Sequence, residues 1–141
     1  MEAYSYDAGV KNLSDHGIDL NEMLEEFQEP YRSGFSGYWL PYDPDGRPTF
    51  YLLDMTDDGC VDLCTCQMFG SGMVRTRTIV YDLLNHERYL LGGYNYDYVI
   101  DGVTDGHLVL VKRGSNGYGD SITETFGTVV LLDGQLVFVP D

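Results

Sequence analysis

Apolar residues recur at two different periods along this chain, and the change of period falls near residue 35. Leu20, Met23, Leu24, Phe27 and Tyr31 are spaced i, i+3, i+4, i+7 and i+11, which is the stripe of an amphipathic helix. Asp19 stands where it can cap the first turn, Glu22 follows three residues later as in a capping box, and Pro30 ends the run. The opposite face, Asn21, Glu22, Glu25, Glu26 and Gln28, is polar. Ahead of this helix, Val10 to Leu13 allow a short helical turn. From Phe35 onward, Gly, Asp-Gly and Asn-Gly punctuate short runs rich in Val, Ile, Thr, Tyr and Phe, which predicts consecutive antiparallel strands. They fall near 37–41, 49–54, 61–67, 74–83, 88–91, 95–101, 106–112, 122–132 and 135–139. Asp133-Gly134 sits between two alternating runs, the signal of a type I′ hairpin, with Val137 and Val139 sharing a face. DPDG at 43–46 and DGVTDG at 101–106 read as turns.

These elements predict an α+β fold that is mostly β: an N-terminal amphipathic helix packed on a twisted antiparallel sheet or small sandwich. A single domain spans 1–141, with an acidic helical arm over 1–30 and an antiparallel β region over 35–141. No repeat of fixed period recurs, which argues against a closed propeller. A chain of 141 residues is long enough to bury a real core.

The net charge of −15, from 23 acidic and 8 basic residues, argues against direct binding of nucleic acid or anionic lipid through a basic patch. It suits a protein partner that is itself basic. Residues 1–29 hold Glu2, Asp7, Asp15, Asp19, Glu22, Glu25, Glu26 and Glu29 against Lys11 alone. That concentration serves either as a solvated, solubilising face or as a binding ridge at Glu22, Glu25, Glu26 and Glu29. No apolar run approaches a membrane span, and MEAYSYDAG has neither a basic n-region nor an apolar h-region. The expected location is cytoplasmic, or surface or secreted if an export signal was removed. Cys60, Cys64 and Cys66 are odd in number, and C-x₃-C-x-C with no nearby His is a poor zinc pattern, so they read as buried thiols acting as small hydrophobes.

Residues 54–63, DMTDDGCVDL, hold the most specific chemistry. Asp54, Thr56, Asp58 and Asp62 place oxygens at positions one, three, five and nine of a tight loop. Gly59 at position six supplies the turn, and the backbone carbonyl of Cys60 at position seven can face inward, which is the ligand arithmetic of a calcium loop. The flanks, FYLLD and VDLCTC, are strand-like, which excludes an ordinary EF-hand pair. With these flanks the stretch resembles the calcium-loop hairpin of FG-GAP and VCBS repeats, known from integrin-type propellers and bacterial surface proteins, where D-x-D-x-D-G-x-x-D-L links two strands. Phe69-Gly70-Ser71-Gly72 and the run VRTRTIVYDL extend the resemblance over roughly residues 50–83. It implies a bound Ca²⁺. Thr56 departs from the pattern, since a hydroxyl is a neutral and weaker ligand than a carboxylate. With three carboxylates the expected affinity is on the order of 10⁻⁵ to 10⁻³ M. The alternative is that Asp54 and Asp58 only form Asx turns in a hairpin without metal.

The remaining chemistry is sparse. His16, His86 and His107 sit in no nucleophile or metal motif and read as surface or turn residues. Neither a nucleophile elbow nor a glycine loop leading into a helix is present, so the chain reads as non-enzymatic. Tyr94, Tyr96 and Tyr98 alternate along one strand and share a face, suited either to partner binding or to covering the core. The expected function is a protein-binding module with one weak calcium loop. The alternative is an acidic inhibitor or immunity protein, of the phage anti-CRISPR or antitoxin kind, that blocks a basic nucleic-acid-binding surface.

Overall fold

A computed structural model describes residues 5–27, 41–69, 75–93, 95–115 and 122–141. The fold is α+β and mostly β, and it is built in three layers. Two short helices, α1 (Tyr6–Asp15) and α2 (Leu20–Phe27), form the first. The strands β1 (Tyr51–Leu53), β2 (Asp62–Phe69), β3 (Arg75–Asp82) and β4 (Glu87–Leu91) form a central four-stranded sheet in chain order. The strands β5 (Tyr96–Thr104), β6 (His107–Ser115), β7 (Ile122–Leu132) and β8 (Gln135–Pro140) form an outer four-stranded sheet, also in chain order. Every pairing is antiparallel.

The central sheet is covered on both faces, because successive residues of its strands point opposite ways. Leu52, Leu63, Ile79 and Tyr81 pack with Leu13, Leu20 and Leu24 of the helices. Their neighbours Leu53, Cys64 and Val80 pack with Leu108, Leu110, Val129 and Leu136 of the outer sheet. Two hydroxyls on these strands bond outside the ladder: that of Thr65 donates to the Thr49 carbonyl, just ahead of β1, at 3.0 Å, and that of Thr78 crosses to the Tyr98 carbonyl of the outer sheet at 3.1 Å. The Ile100 N–H donates to the Cys66 sulfur at 3.2 Å. Thr78 and Cys66 thereby tie β5, an edge strand, to the central sheet through side chains instead of a ladder, which blunts that edge against a foreign strand.

The strands follow the expected runs within a few residues, apart from 49–54, which shortens to 51–53. Of the expected strand at 37–41, residues 37–40 lie outside the described residues, and Pro41 is in no strand. Asp105, Gly106, Asp133 and Gly134 have φ of 51°, 75°, 52° and 76°, so both Asp-Gly pairs form type I′ hairpin turns. Asp43 makes the expected turn, its carboxylate accepting from the Asp45 and Arg47 N–H groups at 2.9 and 2.8 Å. Asp101-Gly102 is not a turn. It lies within β5 at a register shift opposite β6, where a bulge uses glycine in place of a turn.

The Asp19 carboxylate accepts from the Asn21 N–H at 2.9 Å and opens α2 as expected. The helix α1 runs well beyond the short turn anticipated around 10–13. Gly9 weakens the helical signal there, yet a Cβ at this position would collide with the Leu52 side chain, so close packing on β1 demands glycine. Among the described residues no helix is long and apolar enough to cross a membrane.

Candidate functional site

The loop joining β1 to β2 spans Asp54 to Val61, between the paired residues Leu53 and Asp62. Asp54 and Asp58 of the loop, and Asp62 at the start of β2, accept from backbone donors. Asp54 accepts from the Asp58 N–H at 3.2 Å with one oxygen and from the Gly59 N–H at 2.9 Å with the other. Asp58 accepts from the Cys60 N–H at 3.0 Å. Asp62 uses Oδ2 for the Met55 and Thr56 N–H groups, at 2.7 and 3.1 Å. The Thr56 hydroxyl lies 3.4 Å from oxygens of both Asp54 and Asp62. Gly59, with φ of 84°, makes the turn that lets the chain close on itself.

Of the five expected loop positions, the side chains of Asp54, Thr56 and Asp62 meet through the Thr56 hydroxyl, while the Asp58 carboxylate turns to the Cys60 N–H. Asp58 is exposed, whereas Asp54 and Asp62 are 8% and 1% exposed. Burial pushes the Asp62 carboxyl up to about 7; the N–H groups of Thr56 and Met55 oppose the rise, and the charges of Asp82 and Asp58 add to it. Burial also pushes the Cys60 thiol up to about 11, helped by Asp58, Asp62, Asp82 and Asp54. Four carboxylates therefore shape the field around this one thiol. Among the described residues, only Asp62 Oδ1 and Gln67 Nε2 are buried side-chain polar atoms with no hydrogen-bond partner, and only the first belongs to the loop. No group of three or more His, Cys, Asp or Glu among the described residues forms a ready metal cluster. The carboxylates of Asp54, Asp58 and Asp62 are instead spread over backbone N–H groups.

Two contributors lay beyond the sequence reading. Asp82, at the end of β3, is 2% exposed and accepts from the Leu84 and Asn85 N–H groups at 3.1 and 3.0 Å. Asn12 reaches the loop from α1: its amide donates to the Gly59 carbonyl at 3.0 Å and its oxygen accepts from the Val61 N–H at 2.9 Å. Spacing along the chain could not reveal either, since Asn12 acts from 47 and 49 residues away.

The other expected binding residues are dispersed. Glu22 and Glu25 are exposed on α2. Glu29, Tyr94 and the side chain of Glu26 lie outside the described residues. Tyr96 is half-exposed, with the Lys112 ammonium 4.1 Å from its ring centroid. Tyr98 instead closes the edge of the core, edge-on to Phe138 at 6.0 Å.

A bare apolar face was not anticipated. The runs VVLL (129–132) and LVFV (136–139) are continuous, the composition of strands buried on both sides. Val129 and Leu136 are buried inward, but Val130, Leu132, Val137 and Val139 point outward. Cross-strand pairing joins Thr128 to Val139 and Val130 to Val137 on the outer face, where Phe126 stands beside the buried Val111. Phe126, Leu132 and Val139 on it are 45%, 56% and 44% exposed. Exposed Asp105 and Asp133 bracket this face at the hairpin end; Glu124, ion-paired at 3.7 Å to Arg113, and Asp141 stand at the other. Compared with known proteins, the chain matches no family model, no curated protein and no solved structure.

Proposed function

We propose that this chain is a non-enzymatic, β-rich protein-binding module that docks its partner on the outer face of the β5–β8 sheet and carries one weak calcium loop at 54–62. The ladder of outward Phe126, Val130, Val137 and Val139 carries this reading, because a sequence apolar on both sides of β7 and β8 leaves one side open to water. Apolar patches of this kind, rimmed by polar residues, mark interaction surfaces. Acids at both ends of the patch favour a partner with a basic rim. Support for the cation comes from the buried Asp62 carboxylate, whose Oδ1 has no partner and whose Oδ2 lies 3.4 Å from the Thr56 hydroxyl, itself 3.4 Å from Asp54. A calcium ion would neutralise these carboxylates and stiffen the β1–β2 connection.

The test compares capture by the wild-type chain and by a Val137→Lys/Val139→Lys variant from the same cell extract, with light scattering to detect self-association. The reading expects a partner retained by wild type and lost by the variant. Capture that survives both substitutions contradicts it.

The acidic-inhibitor reading has one observation of its own. Asp7, Asp15, Asp19, Glu22 and Glu25 are exposed on the helical layer, where the basic residue Lys11 is already paired with Asp15 at 3.2 Å. Reversal of Glu22 and Glu25 to Lys should then slow association with a basic partner and weaken its salt dependence. Binding indifferent to both changes counts against it.

A further inference from the structure

We infer that Asn12 is a positioning residue that couples cation occupancy of the 54–62 loop to the docking of α1; the inference rests on the calcium-loop reading above. The Asn12 amide bridges two peptide groups that flank one residue, donating to the Gly59 carbonyl at 3.0 Å and accepting from the Val61 N–H at 2.9 Å. The Val61 N–H shares a planar peptide with the Cys60 carbonyl, and the two point in opposite directions in a trans peptide. With the N–H turned toward Asn12, the Cys60 carbonyl is turned away from the helix. That carbonyl is the expected backbone ligand at position seven of the loop.

A second and independent observation points to a ligand: Asp62, 1% exposed, holds one carboxylate oxygen with no partner. An ion that takes up this oxygen and the Cys60 carbonyl fixes the same peptide groups that Asn12 grips. The helix has little slack of its own, because Gly9, one turn before Asn12, lies so close to Leu52 that a Cβ would collide. Ordering of the loop by a cation therefore favours the docked α1, and docked α1 raises cation affinity by the same factor, as linkage requires.

The test uses the full chain with calcium chloride or EGTA. Calorimetric titration measures affinity, and amide hydrogen exchange measures protection of residues 6–15. Wild type is expected to bind calcium, with exchange across α1 slowed several-fold. Asn12→Ala removes two neutral hydrogen bonds and should weaken calcium binding by about tenfold, with the α1 response largely lost. Lys11→Ala, a neighbouring surface change, should keep wild-type affinity. Calcium binding by wild type without slowed α1 exchange, or wild-type affinity in Asn12→Ala, overturns the coupling and leaves the calcium loop standing. Absence of calcium binding by wild type overturns both. The exchange experiment on wild type needs no variant to fold.

Discussion

The β7–β8 hairpin and the β1–β2 loop both join antiparallel neighbours through an Asp-Gly step, yet they treat their carboxylates in opposite ways. In the hairpin, Asp133 and Gly134 at positive φ complete the connection between Leu132 and Gln135, and the carboxylate faces water. The β1–β2 connection takes eight residues, Asp54 to Val61, and draws two acids, Asp54 and Asp62, out of solvent. Closing two strands requires only the first arrangement. Burial of a carboxylate is unfavourable unless its oxygens are satisfied, and Asp62 Oδ1 is not. The burial of Asp62 is what separates this connection from one that only turns.

The sharpest way to break this contrast is to remove the buried charge. With Asp62 pushed up to about 7 by burial, the folded chain keeps a proton that the unfolded chain has released over the window from about pH 4 to 7. Stability of the metal-free protein therefore falls as pH rises through that window. Asp62→Asn should abolish this loss and, in chelator at pH 8, stabilise the chain by roughly 1–4 kcal/mol. Urea denaturation at pH 5 and pH 8 measures it; identical pH slopes in the two proteins would show that Asp62 is not strained by burial.

The hairpin should respond instead to its backbone. Gly134 has φ of 76° and open space around it, so Gly134→Val should destabilise by about 1–3 kcal/mol through strain alone. An unchanged urea midpoint would mean that the turn relaxes to another type. The smallest effect is expected at the partner position: Asp133→Asn should stay within about 0.5 kcal/mol, since Asn tolerates the left-handed region and no buried charge is involved. A large effect there would erase the distinction between the two Asp-Gly connections.

Much of this contrast could be read from the sequence, though not its decisive part. Period-2 runs located the strands, because side-chain alternation is a local property, and Asp-Gly signalled the I′ hairpin at 133–134 through the φ it permits. The spacing of Asp54, Thr56, Asp58 and Asp62 likewise marked the loop. The length of α1 was hidden by Gly9, whose purpose is a tertiary contact with Leu52. The bulge at Gly102 could pass for a turn, since only pairing with β6 distinguishes the two. Burial of Asp62, the proximity of Asp82 and the reach of Asn12 depend on how three layers stack. So does the open outer face, because the apolar runs of β7 and β8 do not say which of their sides is covered.

The most direct measurement of the central claim is thermal unfolding of wild type and Asp62→Asn in calcium, in magnesium and in chelator. Calcium at about a hundred times its dissociation constant should stabilise wild type by about 2.7 kcal/mol, a rise of several degrees in Tm. Magnesium at the same concentration should do far less, since it demands a smaller octahedral cage. Asp62→Asn should begin from a higher Tm in chelator and gain almost nothing from calcium. Superimposable wild-type curves in calcium and chelator would contradict the account and reduce the 54–62 loop to a turn with misplaced charge.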